Sequence, residues 1–432
     1  MALKIKSIRG TRDVTPAESY KWQYVERVAL EVARTYGIEE LRTPTIEKTE
    51  LFVRSVGETT DVVQKEMYTF DKGRESITLR PEGTAGTVRA VVETGLLAES
   101  LPVKVCYVIP CFRHENPQAG RLREFHQFGI ESFGGSSPTA DAEVIGVAND
   151  IFRRLGLNGL ELRINSIGCP ECRPVYNKAL VAYYESHYTE LCETCKERLR
   201  KNPLRLLDCK VESCARLTKD APIILDHLCG DCAVHFEGLK QRLQVTEIPF
   251  VVDPYIVRGL DYYTKTVFEF VTDQIGAQGT VCGGGRYDLL TEYMGGPSTP
   301  ALGFAMGLER LLMVMESAGC AFPDRPKCDL WLGSMGDTEN IKALELAAKL
   351  RAEGFYVLCD TMGRSVKAQM KYANKIGARY SCIIGGDELE KGAVTVKDMD
   401  TGEGESIPLT ADGVKAFLYS HMLDPDSYRL GE

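Results

Sequence analysis

The sequence predicts an α+β protein in which an antiparallel sheet flanked by helices is interrupted by a mostly helical insertion and followed by a small α/β unit. Three observations carry this. Between Ser76 and Gly134, and again at Lys265 to Thr272, Gly279 to Val281 and Ala301 to Met306, short apolar runs alternate with polar residues, as in antiparallel strands covered on one face. Between those blocks, from about Asn165 to Gln244, the pattern turns helical, cysteine-rich and locally basic. After Phe322-Pro-Asp-Arg-Pro326, strand-like segments (Cys328 to Gly333, Phe355 to Cys359, Tyr380 to Ile384) alternate with helical ones (Ile341 to Arg351, Val366 to Ile376), which predicts a small parallel-sheet domain. The expected boundaries are 1–164 and 245–322 for the two parts of the sheet domain, 165–244 for the insertion and 327–432 for the last unit.

The first element is a helix. Trp22, Val25, Val28, Ala29 and Val32 recur at helical spacing from Ala17 to Tyr36, and Gly37 stops the helix. A strand-like run from Ile38 to Leu41 leads into Thr43-Pro44, where a proline suits a sheet edge or an interface. At 44% hydrophobic residues over 432 positions, the chain can fill more than one core. No run of about 18 apolar residues occurs, and Met1-Ala-Leu-Lys-Ile-Lys6 lacks the apolar stretch of a signal peptide, so a soluble cytoplasmic protein without membrane contact is expected. Fifteen cysteines in such a chain read as reduced thiols or metal ligands rather than a disulfide framework. A net charge of −9 excludes a polycationic surface but leaves room for a local basic face.

No Gly-x4-Gly-Lys-Ser/Thr loop is present, so a nucleotide would need another phosphate grip. Arginines among short polar strands offer one: Cys111-Phe-Arg-His-Glu115 and Gly120-Arg-Leu-Arg-Glu-Phe-His-Gln-Phe-Gly129. A guanidinium holds phosphate oxygens bidentately and stays charged. Periodicity alone allows equally a solvated hairpin with surface ion pairs. A second segment favours the phosphate reading: Ala301 to Arg310 runs from an apolar strand through Gly307 into an amphipathic helix, with Arg310 in the first turn, where a cation is disfavoured unless it serves an anion.

Here a resemblance becomes specific. Phe112-Arg-His-Glu115 with its loop resembles motif 2 of class II aminoacyl-tRNA synthetases, Gly303 to Arg310 resembles motif 3, and the segment around Arg42-Thr-Pro44 resembles motif 1, in the family's order. Val257-Arg-Gly-Leu-Asp-Tyr-Tyr-Thr264, Thr78-Leu-Arg-Pro-Glu-Gly-Thr84 and Arg9-Gly-Thr-Arg-Asp13 are similar to segments of bacterial histidyl-tRNA synthetases, and the resemblance spans nearly the whole chain. It implies ATP, with magnesium, as a substrate. Arg113 would hold the α-phosphate and the substrate carboxylate, Glu115 the adenine amino group, Phe125 the adenine face, and Arg121 with Arg310 the outer phosphates. It implies a histidine pocket of Glu82, Gly83, Thr84 and Gln127 around the amine, and of Glu131 and Tyr263 on the imidazole, assisted by Tyr262 and Tyr287. Arg258 would face the α-phosphate opposite Arg113. His114 and His126 are read as non-catalytic, since a carboxylate nucleophile needs no base. Gln118 would approach the extra guanosine of histidine tRNA, the C-terminal unit would read the anticodon, and motif 1 implies a homodimer. Without the resemblance, Tyr262 and Tyr263 read as core aromatics and Glu131 as a solvated strand residue. A regulatory partner of ATP phosphoribosyltransferase shares the fold but loses catalytic arginines, all kept here; a synthetase for proline, threonine or glycine is disfavoured by Arg258 to Thr264.

The insertion departs from the family's pattern. Cys169-Pro-Glu-Cys172, Cys192-Glu-Thr-Cys195, Cys209, Cys214 and Cys229-Gly-Asp-Cys232 suffice by count for one or two tetrahedral thiolate zinc sites. Relatives generally need no zinc, and reduced core thiols are the alternative; the set expected here is Cys192, Cys195, Cys229 and Cys232. Lys196 to Arg205 holds five basic residues in ten, either a solvated helix face or a contact to the tRNA acceptor arm.

Overall fold

The computed structural model describes residues 5–58, 60–273 and 279–422. Its central sheet has eight strands in the order Glu39–Glu40, Val103–Phe112, Glu124–Phe133, Ala301–Gly307, Thr280–Arg286, Thr264–Val271, Glu161–Ser166 and Val251–Val252. The inner six pair antiparallel. Each two-residue edge strand pairs parallel with its neighbour.

Alternation along these strands separates a structural face from a chemical one. Phe128 and Ile130, Phe268 and Phe270, and Leu302, Phe304 and Met306 point into the main core with the apolar sides of Ser19–Thr35, Pro138–Arg154 and Leu308–Ser317. Their neighbours Gln127, Glu269, Gly303 and Ala305 line a cleft on the opposite face. The five apolar positions expected to define the first helix are all buried. Burying each of the larger ones contributes roughly 1.5–3 kcal/mol. Thr84–Glu93 and the three-stranded sheet Ile46–Lys48, Glu75–Leu79 and Tyr68–Lys72 stand beside the cleft. Buried Arg80 ties this part together, donating to the carbonyls of Thr43 and Pro110 at 2.8 Å each. Arg286, fully buried, bridges Asp141 at 2.6 Å and Asp288 at 3.0 Å, and Asp141 also faces His235 at 2.7 Å. Removing one partner of such a network leaves an uncompensated buried charge.

The insertion carries the helices Cys172–Ser186, Glu193–Lys201 and Glu212–Thr218 around a core of its own, in which Tyr176, Leu180, Tyr184, Leu199 and Leu206 meet. The following helix, Gly230–Val245, belongs to the insertion by its sequence pattern, yet Phe236, Leu239 and Leu243 pack into the main core.

The chain forms two compact units, Met1–Pro323 and Asp324–Glu432. The second unit is built on parallel strands Leu330–Ser334, Val357–Cys359 and Tyr380–Ile384, with helices Asp337–Ala352 and Val366–Lys375 between them. Two further strands, Ala393–Asp398 and Gly404–Pro408, extend the sheet antiparallel, so it is mixed where the sequence pattern predicts a parallel one. Val394, Val396 and Ile407 are buried against Ala411–Met422. No helix among the described residues is long and apolar enough to cross a membrane.

Candidate active site

The cleft encloses about 810 Å³ and receives residues from both parts of the sheet unit. At one end stand three arginines. Arg113, just beyond the strand Val103–Phe112, donates through Nε to the carbonyl of Pro81 at 2.8 Å, and its guanidinium lies 5.3 Å from the Phe125 ring centroid. Arg121 reaches Glu115 at 3.1 Å. Arg310 enters from the start of the helix Leu308–Ser317 and donates to the carbonyl of Thr280 at 2.7 Å. Burial and the nearby charge of Arg121 push the Arg310 guanidinium below its ordinary value. Two cations held close at a helix start favour an anionic ligand between them. The loop between the hairpin strands turns at Gly120 with φ +69°, leaving Gln118 exposed at its tip. The chain near the N-terminus packs there, Gly10 accepting from the Arg123 backbone N–H at 2.7 Å.

The other end is a buried polar pocket. Glu131, fully buried, accepts hydrogen bonds from the hydroxyls of Tyr107 at 3.0 Å and of Tyr287. Burial pushes its carboxyl up to about 8, and the neighbouring Glu82 adds to the rise. Space for it comes from Gly303, where an added Cβ would lie 2.8 Å from the Glu131 carboxyl carbon. Tyr262 packs between Tyr263 and Tyr287, with ring centroids 4.7 and 5.5 Å away. Glu82 accepts from the backbone N–H groups of Thr84 at 2.7 Å and Ala85 at 2.8 Å, which fixes its carboxylate at the start of Thr84–Glu93 beyond Gly83. Gln127 accepts from the Cys111 thiol at 3.3 Å. Glu82, Thr84, Gln127, Tyr262, Tyr263 and Tyr287 line the cleft, whereas Glu131 lies buried behind its wall and is joined to it through Tyr287.

Arg258 lies across the strand Thr280–Arg286 and forms an ion pair with Glu269. A Cβ at Gly283 would collide first with the Arg258 guanidinium, 2.6 Å from its Cζ. Gly283, the first of the three glycines, is therefore a seat for this arginine. Gly283→Ala is expected to push the Arg258 guanidinium out of this seat while leaving thermal stability within about 1 kcal/mol, since the displaced atoms end a flexible chain; a melting curve checks it.

Tyr107 and Glu269 contact candidate site residues, Glu131 and Arg258, and sequence reasoning does not single them out. Tyr107 has a signal: it pairs with Gly129 across the hairpin, and added Cβ atoms at Gly129 and Gly83 would both collide with its ring. Glu269 has another, a charge alternating with Phe268 and Phe270. His126 hydrogen-bonds Glu309 at 3.0 Å, and His114 is exposed.

In the insertion, part of the basic run turns inward. Arg198 meets Asp61 at 3.2 Å, and Arg205 donates to the Arg258 carbonyl at 3.1 Å; Arg200 and Lys201 stay exposed. The expected cysteine set is corrected: Cys192 and Cys195 converge with Cys209 and Cys214, whereas Cys229 and Cys232 converge with Cys169 and Cys172. The cause is topological, because the helix Gly230–Val245 returns to the sheet and carries its first turn back to where the insertion began.

Six antiparallel strands that deliver anion-binding arginines from a hairpin and from a helix start into one cleft form the catalytic architecture of class II aminoacyl-tRNA synthetases, and the chain falls in that class. The family model for histidyl-tRNA synthetase matches residues 10–311, and that for an anticodon binding domain matches 334–412. Histidine–tRNA ligases of Caldanaerobacter subterraneus subsp. tengcongensis and Acetivibrio thermocellus are 56% and 54% identical, each over 93% of this chain and 97% and 96% of the relative. The apo histidyl-tRNA synthetase of S. aureus superposes with a TM-score of 0.81 at 39% identity, covering 96% of this chain and 99% of the other. The chain belongs to the histidyl-tRNA synthetase family, ATP-dependent ligases that join histidine to its tRNA through an adenylate. An ATP phosphoribosyltransferase regulatory subunit/histidyl-tRNA synthetase from Bacillus halodurans C shares the fold, with a TM-score of 0.64 at 20% identity.

Proposed function

We propose that both half-reactions take place in this cleft, with the roles divided as follows. The pocket of Glu82, Thr84 and Gln127 binds the α-ammonium of histidine. Glu131 and Tyr263 engage the two ring nitrogens, one as hydrogen-bond acceptor and one as donor, so that an amino acid lacking either group leaves a buried partner unpaired. ATP enters as its magnesium complex, the ion carried by the nucleotide. Arg121 and Arg310 take the outer phosphates, while Arg113 and Arg258 flank the α-phosphate. Glu115 and Phe125 serve the adenine; for Phe125 this requires its ring to share one face with the Arg113 guanidinium that now covers it.

The histidine carboxylate, already ionised, attacks the α-phosphorus; its bond forms as the bond to the bridging oxygen breaks, and pyrophosphate leaves. Fixed cations on both sides stabilise the five-coordinate phosphorus without moving. A ribose hydroxyl of the terminal adenosine then attacks the carbonyl carbon, passing its proton to a phosphate oxygen of the departing AMP. Exposed Gln118 approaches the acceptor end, exposed Arg200 and Lys201 neutralise acceptor-arm phosphates, and the C-terminal unit reads the anticodon. Exposed Ile46 and Phe70, near the motif 1 segment, support a homodimer, and the use of ATP and tRNA supports a cytoplasmic site of action.

The observation that carries this reading is the buried Glu131, hydrogen-bonded by Tyr287 in the wall of the cleft that also holds Arg113, Arg258 and Arg310. That arginine set favours the ligase over a regulatory protein. ATP–pyrophosphate exchange without tRNA, run with each of the twenty amino acids on material of two-chain mass by sedimentation, is expected to proceed with histidine alone. Exchange with another amino acid would overturn the pocket assignment, and exchange with none would favour the regulatory reading.

A further inference from the structure

We propose that the insertion holds two zinc ions, each enclosed by four thiolates: Cys169, Cys172, Cys229 and Cys232 at its root, and Cys192, Cys195, Cys209 and Cys214 in its body. In each quartet the four sulfurs lie within 4.8 Å of one another. Cys169 Sγ is 3.6 Å from Cys172 Sγ and 3.8 Å from Cys229 Sγ, and Cys192 Sγ is 3.9 Å from Cys209 Sγ. A zinc ion with bonds of about 2.3 Å to four tetrahedral sulfurs sets the sulfur–sulfur edges at about 3.8 Å. A disulfide needs about 2.05 Å, and all fifteen cysteines are free.

The surroundings suit thiolates as well as the spacing does. The backbone N–H of Cys229 donates to Cys172 Sγ at 3.1 Å, and that of Cys192 to Cys214 Sγ at 3.3 Å. Cys192 and Cys229 each stand at the position just before a helix, and Cys195 and Cys232 lie in the first turns that follow, where the helix dipole favours negative sulfur. Buried core thiols without a metal have no reason to gather into two separate quartets, and the insertion's own core is small enough for a metal staple to matter.

The two ions would act on different parts. The root ion clamps the point where the chain leaves the strand Glu161–Ser166 to the point where it re-enters the main core along Gly230–Val245. The body ion fixes the segment that reaches the cleft: the Cys209 backbone N–H donates to the Leu206 carbonyl at 3.1 Å, the adjacent Arg205 donates to the Arg258 carbonyl, and Asn202 donates to Asp261 at 2.9 Å. Cys209 and its ion are thus positioning elements for Arg258; this second step rests on the role given to Arg258 above, whereas the metal count does not.

The test uses the full chain purified with reductant and without chelator, its zinc released by a mercurial and counted. Two equivalents per chain are expected, falling to one in Cys209→Ser and one in Cys229→Ser. Cobalt exchanged into the wild type should give thiolate-to-cobalt charge-transfer and tetrahedral d–d bands of twice the amplitude found in either variant. Fewer than two equivalents in reduced wild type after zinc addition and washing, or cobalt bands without thiolate charge transfer, would overturn the proposal even if neither variant folds. Cys209→Ser carrying one zinc should form adenylate about tenfold more slowly, as loss of a supporting shell does. Undiminished adenylation in that variant refutes the link to Arg258 and leaves the count standing.

Discussion

Arg258→Ala is expected to lower the single-turnover rate of histidyl-adenylate formation about 10²–10³-fold, the loss that follows removal of one preorganised group from a transition-state charge site. ATP affinity should change by less than about threefold, because in the proposed division of roles Arg113, Arg121 and Arg310 would still hold the phosphates before reaction. The split between rate and binding is the discriminating readout. Arg258 rests on Gly283 with its charge paired to Glu269, so the guanidinium is oriented before substrate arrives and no reorganisation accompanies the chemistry. Glu269→Gln should therefore slow adenylation as well, by about tenfold, through loss of orientation rather than of charge. Measured by quenched flow with labelled ATP, an unchanged adenylation rate in Arg258→Ala would remove the residue from the reaction, and a large loss of ATP affinity would recast it as a binding group.

The sheet was legible because its two faces differ in chemistry. Along Glu124–Phe133, Phe128 and Ile130 alternate with Gln127 and Glu131, so a period of two in the amino-acid order already separates the apolar face from the polar one. The arginines were legible through their positions in a hairpin and at a helix start. The C-terminal strands Ala393–Asp398 and Gly404–Pro408 were not, since their buried residues are few and set between lysines, aspartates and glycines. Cysteine spacing revealed pairs but could not reveal which pairs meet, because that depends on where a sixteen-residue helix returns the chain. Glycines were the least legible part. Gly83, Gly129, Gly283 and Gly303 owe their identity to Tyr107, Arg258 and Glu131, side chains far away in sequence.

Glu131→Gln is expected to reduce kcat/KM for histidine about 10²–10³-fold, the cost of replacing, in a buried site, a carboxyl that can share a proton with the ring by an amide that cannot. Its pH dependence tests the assignment more closely. The free ring titrates near 6.5, and burial raises the Glu131 carboxyl to about 8. Between those values the free partners together carry one proton, on the carboxyl, and the bound pair needs one proton shared between ring and carboxylate, so binding takes up and releases none. Below about 6.5 a proton must leave, and above about 8 one must be gained, so kcat/KM for histidine should be bell-shaped with limbs near those values. In the glutamine variant the upper limb should disappear while the lower one, which belongs to free histidine, remains. The same carboxyl affects folding. Its folded value lies above its ordinary 4.5, so its contribution to stability is fully present below 4.5 and is lost as pH rises towards about 8. Glu131→Gln should therefore melt higher than the wild type at pH 8 and lose that advantage at pH 4.5 or below. An upper limb that persists in the variant would mean that another group carries the proton and that Glu131 does not face the ring.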